Sequence, residues 1–509
     1  MSTPSAFDYI IIGAGAGGCA LAHRLSADPA NSVLLLEAGG PDSNPIFDTP
    51  RDIIATWAPE YDYGYATLPQ AGLNGRSVKI GRGKVLGGST NVHALMHVRG
   101  NPRDFDTWDF LGADGWSFAD VLPYFKRSED WEGGADVHRG VGGPLSVRYN
   151  PNPTPVAKAF VAGAGQLGMR SVNHDYNGAL QEGASLYQLV LTRDGKRASS
   201  SQAYLRPILS RPNLTIRTGV LVTKIEIESG RAVAVRCRAA GAESVVRCSR
   251  EIIVAAGAFD SPKLLQLSGI GPANALTKLG IAVKSDLPGV GQNLIDHMLL
   301  PFLQHSKQPL PYPEFLGEAG LFTKTRAGME AASPNLQINI SAGVPPLAPP
   351  NLGDFFGFVM IIIQPQSRGW LGLRSANPAD TLDLQPNYLQ CPTDVDTFVD
   401  GIRLCRELSA TPAMAEFAGG AIHLPASATK SETIEYVRSW AGTVWHPVGT
   451  CKMGRDALAV VDPQLRVYGV EGLRVADASV MPTIPAGNTA AACIMIGEKA
   501  ADLILTARR

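Results

Sequence analysis

The chain has almost no charge bias. Its 45 Lys and Arg stand against 46 Asp and Glu, a net charge of −1. No basic arm or stripe is present to hold a nucleic acid, and no acidic tail suggests a disordered interaction segment. Cysteine is scarce. The seven, at 19, 237, 248, 391, 405, 451 and 493, are odd in number and never spaced C-x-x-C. That spacing argues against a disulfide framework or a zinc site and favours a reducing compartment, the cytoplasm. The N-terminal MSTPSAFDYI lacks the positive stretch of a secretory signal. Long apolar runs are missing as well. Tyr9 to Ala22 contains four glycines, so it is too short and too glycine-rich for a membrane span. No repeat is visible. The nearest thing to a linker is Pro345 to Pro350. What remains is globular: 509 residues, 45% hydrophobic, enough for a large core and two domains.

The segment DYIIIGAGAGGCALAHRLSAD, from Asp8 to Asp28, reads as strand, turn, helix. Tyr9 to Ile12 is the continuous apolar run of a parallel strand buried on both faces. Gly13-Ala14-Gly15-Ala16-Gly17-Gly18 matches G-x-G-x-x-G. Gly13 makes the tight turn, Gly15 lets backbone approach a pyrophosphate, and Gly18 lets the helix lie against the strand. The free N–H groups of the helix start then face the phosphates. A second apolar strand, Val33 to Leu36, ends in Glu37, the acid expected about twenty residues on to accept ribose hydroxyls. Glu37 disfavours a 2′-phosphate, which leaves FAD and NAD.

A second glycine-rich loop, GRGKVLGGSTNVHALMHVRG, runs from Gly81 to Gly100. An NAD enzyme has no evident need of it. A flavin, whose ribityl chain and ring extend past the first turn, does. His93 and His97 stand at i, i+4 and can share a helix face, but Ala94 occupies the place where a zincin carries Glu. The expectation is therefore no metal.

This loop closely resembles the first signature of the glucose–methanol–choline (GMC) flavoprotein oxidoreductases. GAFDSPKLLQLSGIG, Gly257 to Gly271, resembles their second, and the tail from Trp445 to Ile504 is similar to theirs. The resemblance implies an α/β fold: a Rossmann-like FAD-binding domain with a discontinuous α+β substrate-binding domain. The expected boundaries are 1–153, 190–300 and 441–509 for the first and 154–189 and 301–440 for the second. It implies cofactor contacts from Gly13, Gly15, Ala16, Gly18, Glu37 and Ala38 in the first unit. In the second loop it implies Arg82, Gly87, Gly88, Ser89, Asn91, Val92, His93 and Ala94. Val222, Ala256, Asp477, Ala478, Asn488 and Thr489 complete the set. For Asp477 a turn-capping role is the alternative. His97 departs from the aromatic residue or alanine usual at its place. Val92 stands where choline-oxidase-like members carry the histidine that bonds covalently to FAD, so FAD is expected to be non-covalent.

Elsewhere, Glu251 to Ala256 reads as a buried strand. Ser261-Pro262-Lys263 opens a helix, with Pro suited to its first turn. NLQINIS and GFVMIIIQPQ read as strands, and Val395 to Leu408 as an amphipathic helix. Region 301–363 is expected to cover the flavin and form the substrate chamber.

By the resemblance, His446 in VWHPVGT matches the family's catalytic base and Asn488 its partner. Trp445, Pro447 and Gly449 would fix a rigid turn around His446. Asn488, placed near an N-cap, opens the apolar helical run Ala490 to Ile504. Trp445, His446 and Asn488 are the expected substrate pocket. The implied reaction is oxidation of an alcohol to an aldehyde or ketone. His446 takes the hydroxyl proton as hydride passes to flavin N5, and oxygen or a quinone is the final acceptor. The alternative is a hydroxynitrile lyase using His446 without net redox. The chamber shows no acidic cluster. Phe355, Phe356, Phe358 and Trp445 lean toward a neutral primary alcohol, aryl or short-chain. His297 is expected to be structural or a flavin-domain contact. Cys451 is expected to be a small buried hydrophobe.

Overall fold

A computed structural model describes residues 6–171, 174–329, 332–343 and 353–507. The segment 345–350 lies outside the described residues. Two seven-stranded sheets organise the chain. In the first, Ala6–Ile12, Val33–Leu36, Leu214–Arg217 and the end of Ala242–Val254 run parallel, with Leu473–Val475 beside the last of these. Leu221–Glu228 and Arg231–Ala239 extend it antiparallel. Val33–Leu36 is buried at every position, as strands covered on both faces must be. The helices Ala16–Leu25 and Ala490–Thr506 pack on each other over this sheet.

The second sheet is antiparallel. Its order is Ala418–Ala421, Met298–Ser306, Phe355–Ile362, Leu336–Ala342, Ala319–Thr323, Gly183–Leu186, with Gly442–Thr443 also on Met298–Ser306. One face packs on the helices Pro155–Gln166 and Pro392–Ala410 to form a separate core. Strand side chains alternate between faces, so Phe356 and Phe358 fall into that core. The other face looks back toward the first sheet. The expectation that Phe355, Phe356 and Phe358 shape the chamber is thereby corrected: none of the three lines it, and only Trp445 of that group does.

The helix of the second signature runs Gly257–Leu267, so Pro262 lies inside it rather than in its first turn. Pro262 has no N–H to give the carbonyl of Ala258. Thr450 Oγ1 donates to that carbonyl instead, at 2.6 Å. The interruption is thus satisfied from a distant loop.

Candidate active site

One continuous cavity of about 700 Å³ runs between the two sheets. At one end it meets the glycine turn. Gly13 has φ +98°, and a Cβ there would lie 2.5 Å from the carbonyl oxygen of Ala255. A Cβ at Gly18 would lie 1.9 Å from Gly13 O, whereas at Gly15 it would meet nothing within 4 Å. Gly18 therefore serves helix–strand packing and does not line the cavity, while the Cα of Gly15 faces open space on its wall. The helix that follows has no side-chain cap, which leaves its first N–H groups for an anion.

Glu37, at the end of its strand, is buried on the wall. Its Oε2 accepts from Ala14 N at 2.9 Å and its Oε1 from Gly39 N at 2.7 Å. Each oxygen keeps a second lone pair for a hydroxyl. Burial raises the carboxyl to about 7. Ala16, Ala38, Arg82, Gly88, Ser89, Val92, His93, Ala94, Val222, Ala256, Ala478 and Thr489 also line the cavity. Gly87 and Asn91 do not. Asn91 Nδ2 turns inward, donating to Leu86 O at 2.5 Å and Ser201 Oγ at 3.3 Å, so it braces the loop. The carboxylate of Asp477 accepts from the backbone and hydroxyl of Ser479, Gly257 N and Ser261 Oγ. Those donors occupy both oxygens. Asp477 caps the turn Ala478–Val480 and also lines the cavity, so the capping role stands beside the expected cofactor contact. Residues 88–91 form a single 3₁₀ turn, after which the chain is irregular. His93 and His97 therefore share no helix face: His93 lines the cavity, and His97 sits 3.5 Å from buried Glu129.

At the other end stand His446, Asn488 and Trp445. Met298 pairs with Thr443, and Ile295 with Val448. This antiparallel pairing brings His297 to His446. Nδ1 of His297 lies 3.0 Å from Nδ1 of His446, and its Nε2 lies 3.2 Å from Ile363 O. A carbonyl only accepts, so His297 carries its proton on Nε2 and leaves Nδ1 bare. His446 must then donate from Nδ1, which leaves its Nε2 bare toward the cavity. Asn488 Nδ2 lies 3.4 Å from that Nε2, and Gln337 Nε2 donates to Asn488 Oδ1 at 3.4 Å. The amide orientation and both tautomers agree. Burial drives His446 well below its ordinary 6.5, helped by His297 and the Arg82 guanidinium, and burial lowers His297 to about 3. Both rings are neutral at physiological pH.

The loop that carries His446 is held as firmly. Trp445 adopts φ +64°, a strained value for a bulky residue. Its N–H donates to Thr443 Oγ1 at 2.8 Å, and its carbonyl accepts from Arg82 Nη1 at 2.8 Å. His446 N donates to Asp296 Oδ1 at 2.8 Å. Asp296 is buried and also accepts from Tyr388 and Thr443 hydroxyls, at 2.5 and 2.6 Å. Asn488 is not the helix cap: Thr489 holds that position, without a side-chain bond, and Asn488 turns to His446 instead. Asp296 and Gln337 are site residues that sequence reasoning passed over, and His297, expected to be structural or a flavin-domain contact, lies against His446. The Asp-His pair and the polar alternation in LQINIS were the available signals.

A family model described as GMC oxidoreductase matches residues 7–299, and a second of the same description matches 365–497. The oxygen-dependent choline dehydrogenase of Sinorhizobium medicae (strain WSM419) is 42% identical, over 98% of this chain and 95% of its own. That of Rhizobium etli (strain CIAT 652) is 41% identical with the same coverage. Among solved structures, pyridoxine 4-oxidase from Mesorbium loti superposes with TM-score 0.92 at 31% identity, covering 97% of this chain and 98% of that one. Formate oxidase of Aspergillus oryzae RIB40 (R554A variant) does so with TM-score 0.91 at 25% identity, covering 100% and 99%.

Proposed function

The chain belongs to the GMC oxidoreductase family and is an FAD-dependent alcohol oxidase or dehydrogenase; we propose that it oxidises a neutral alcohol with His446 as proton acceptor. The observation that carries the reading is the bare Nε2 of a neutral, tautomer-fixed His446 at the cavity wall.

FAD, when bound, would supply the hydride acceptor for the carbinol carbon. Gly13, Gly15 and Ala16 would hold its pyrophosphate and Glu37 with Ala38 its ribose. Arg82, Gly88, Ser89, Val92, His93, Ala94, Val222, Ala256, Ala478 and Thr489 would flank the rest. Val92 has no atom able to bond to it, which supports non-covalent binding. His446 Nε2 takes the hydroxyl proton, and Asn488 Nδ2 donates to the oxygen as charge develops. Their mutual 3.4 Å contact is long enough for a substrate hydroxyl to displace.

Neutrality of the substrate is supported by the sheet wall beside His446. Leu299, Pro301 and Val359 face the cavity there, and no carboxylate does. The four acids elsewhere on the wall each accept a hydrogen bond: Glu37 from Ala14 N, Asp477 from Gly257 N, Asp62 from Arg82 N at 2.8 Å and Asp260 from Tyr65 Oη at 2.6 Å. A quaternary ammonium such as choline would meet aromatic faces, among them those of Trp57 and Trp445, 5.3 Å apart, which can receive such a cation, so choline is the comparison substrate for this reading. We place the protein in the cytoplasm, a reading supported by its seven unpaired cysteines. No helix among the described residues is long and apolar enough to cross a membrane.

Anaerobic mixing with a panel of neutral alcohols and choline tests this. Neutral alcohols should bleach the flavin faster than choline. Subsequent recolouring by air marks an oxidase; recolouring by a quinone but not by air marks a dehydrogenase. Faster bleaching by choline would overturn the substrate class. A flavin left yellow by every alcohol would favour the lyase alternative.

A further inference from the structure

Strand Leu336–Ala342 reads LQINISA. Leu336, Ile338, Ile340 and Ala342 enter the second core, so Gln337, Asn339 and Ser341 project from the opposite face, with Asn339 and Ser341 on the cavity wall. An amide is out of keeping with this wall: across the sheet, Asn339 pairs with Val359, which pairs with Pro301.

Asn339 is buried, and its Oδ1 accepts from the Tyr187 hydroxyl and from Gln337 Nε2, the second at 3.1 Å. The Tyr187 hydroxyl itself accepts from Gln337 Nε2 at 2.7 Å, so its own proton is turned to Asn339 Oδ1, and this orients the amide. Its Nδ2 has no acceptor among the described residues. Tyr187 reaches this place because strand Ala319–Thr323 carries Gly320; a Cβ there would lie 2.0 Å from the Tyr187 hydroxyl. Ser341 Oγ donates to Ala342 O at 3.0 Å, which leaves it lone pairs but no donor. The same Gln337 amide that helps fix Asn339 also reaches Asn488, so this donor belongs to the chamber that holds His446.

We propose that Asn339 is a specificity-determining residue: its Nδ2 donates to a neutral oxygen, hydroxyl, ether or carbonyl, on the part of the substrate remote from the carbinol. The substrate class is then an alcohol carrying a second oxygen. An alkyl chain at this point would strip water from a fixed donor and give nothing in return, and such an unpaired donor discriminates strongly against it. The proposal rests on the alcohol-oxidation reading above.

The test uses the FAD-loaded enzyme and two matched sets of substrates: n-alkanols, and hydroxy-ethers of the same length in which oxygen replaces one methylene at each position in turn. At one position the ether should exceed its alkanol in kcat/KM by roughly tenfold or more. In Asn339→Leu that ratio should fall toward unity. Tyr187→Phe, which frees the amide to turn while keeping its donor, should lower the ratio in part, and it stands in if the first variant fails to retain FAD. Alkanols oxidised with no ether preference at any position, or a preference unchanged in the variants, would overturn the assignment and leave alcohol oxidation standing. Failure of every member of both sets to reduce the flavin would instead strike at the alcohol-oxidation reading.

Discussion

The imidazoles of His446 and His297 meet Nδ1 to Nδ1 at 3.0 Å, and the proton between them belongs to His446. That assignment leaves one basic atom, Nε2 of His446, facing the substrate. His446→Ala removes it. The expected loss in kcat/KM is roughly 10²–10⁴-fold, with bound FAD unchanged in its absorbance. Near-normal turnover in a yellow variant would take His446 out of the role.

His297 does not line the cavity; it acts through His446. His297→Phe deletes the acceptor and leaves the His446 Nδ1–H unpaired, so the ring no longer has a preferred tautomer. A loss of about 1–3 kcal/mol should appear in kcat, roughly ten- to a hundredfold, with KM little changed. The pH profile separates this from a general disturbance. In the parent protein His446 is held well below 6.5, so kcat/KM stays level as pH falls through that value. Removing His297, one of the groups that depress it, should move the acid limb upward. An acid limb that does not move would mean that His297 serves only packing.

How much of this could be read from the sequence depended on whether the information was local. The turn at Gly13, the helix behind it and the acid Glu37 lie in one short segment, and period and spacing expose them. The union of His297 with His446 is not local at all. It arises from the pairing of Met298 with Thr443, which no periodicity in either segment announces. Phe356 and Phe358 were misplaced for a related reason: an apolar run shows a buried strand but not which face meets the cavity and which the helices. Asn91 shows the limit for polar side chains beside a glycine turn. Its amide can serve the cofactor or the loop, and the loop takes it through Leu86 O. Pro262 looked like a helix start because its usual cost inside a helix was offset from a distant residue, Thr450.

That offset can be measured. Thr450→Val keeps the shape of the side chain and removes the hydroxyl that serves Ala258 O. The carbonyl is then left buried without a donor, at a cost of about 1–3 kcal/mol, read as a lower midpoint in urea with an unchanged slope. The change is confined to stability, so the flavin spectrum at saturating FAD should stay the same. An unchanged midpoint would show that the carbonyl finds another partner.

Glu37 links cofactor affinity to pH. Burial raises its carboxyl to about 7 in the protein without ligand. A ribose hydroxyl donating to the carboxylate favours the ionised form, so FAD binding lowers that value. Below it, free protein holds a proton that it must release on binding, and affinity falls as pH falls, by up to tenfold per unit. Above it, this group adds no further dependence. With FAD held non-covalently, as proposed, acidification should release the yellow chromophore into solution. Apoprotein titrated with FAD by fluorescence from about pH 6 to 8 should show the slope, and Glu37→Gln, which has no such proton to lose, should flatten it. An equal slope in both proteins would place the coupling on another group and leave Glu37 without the ribose contact.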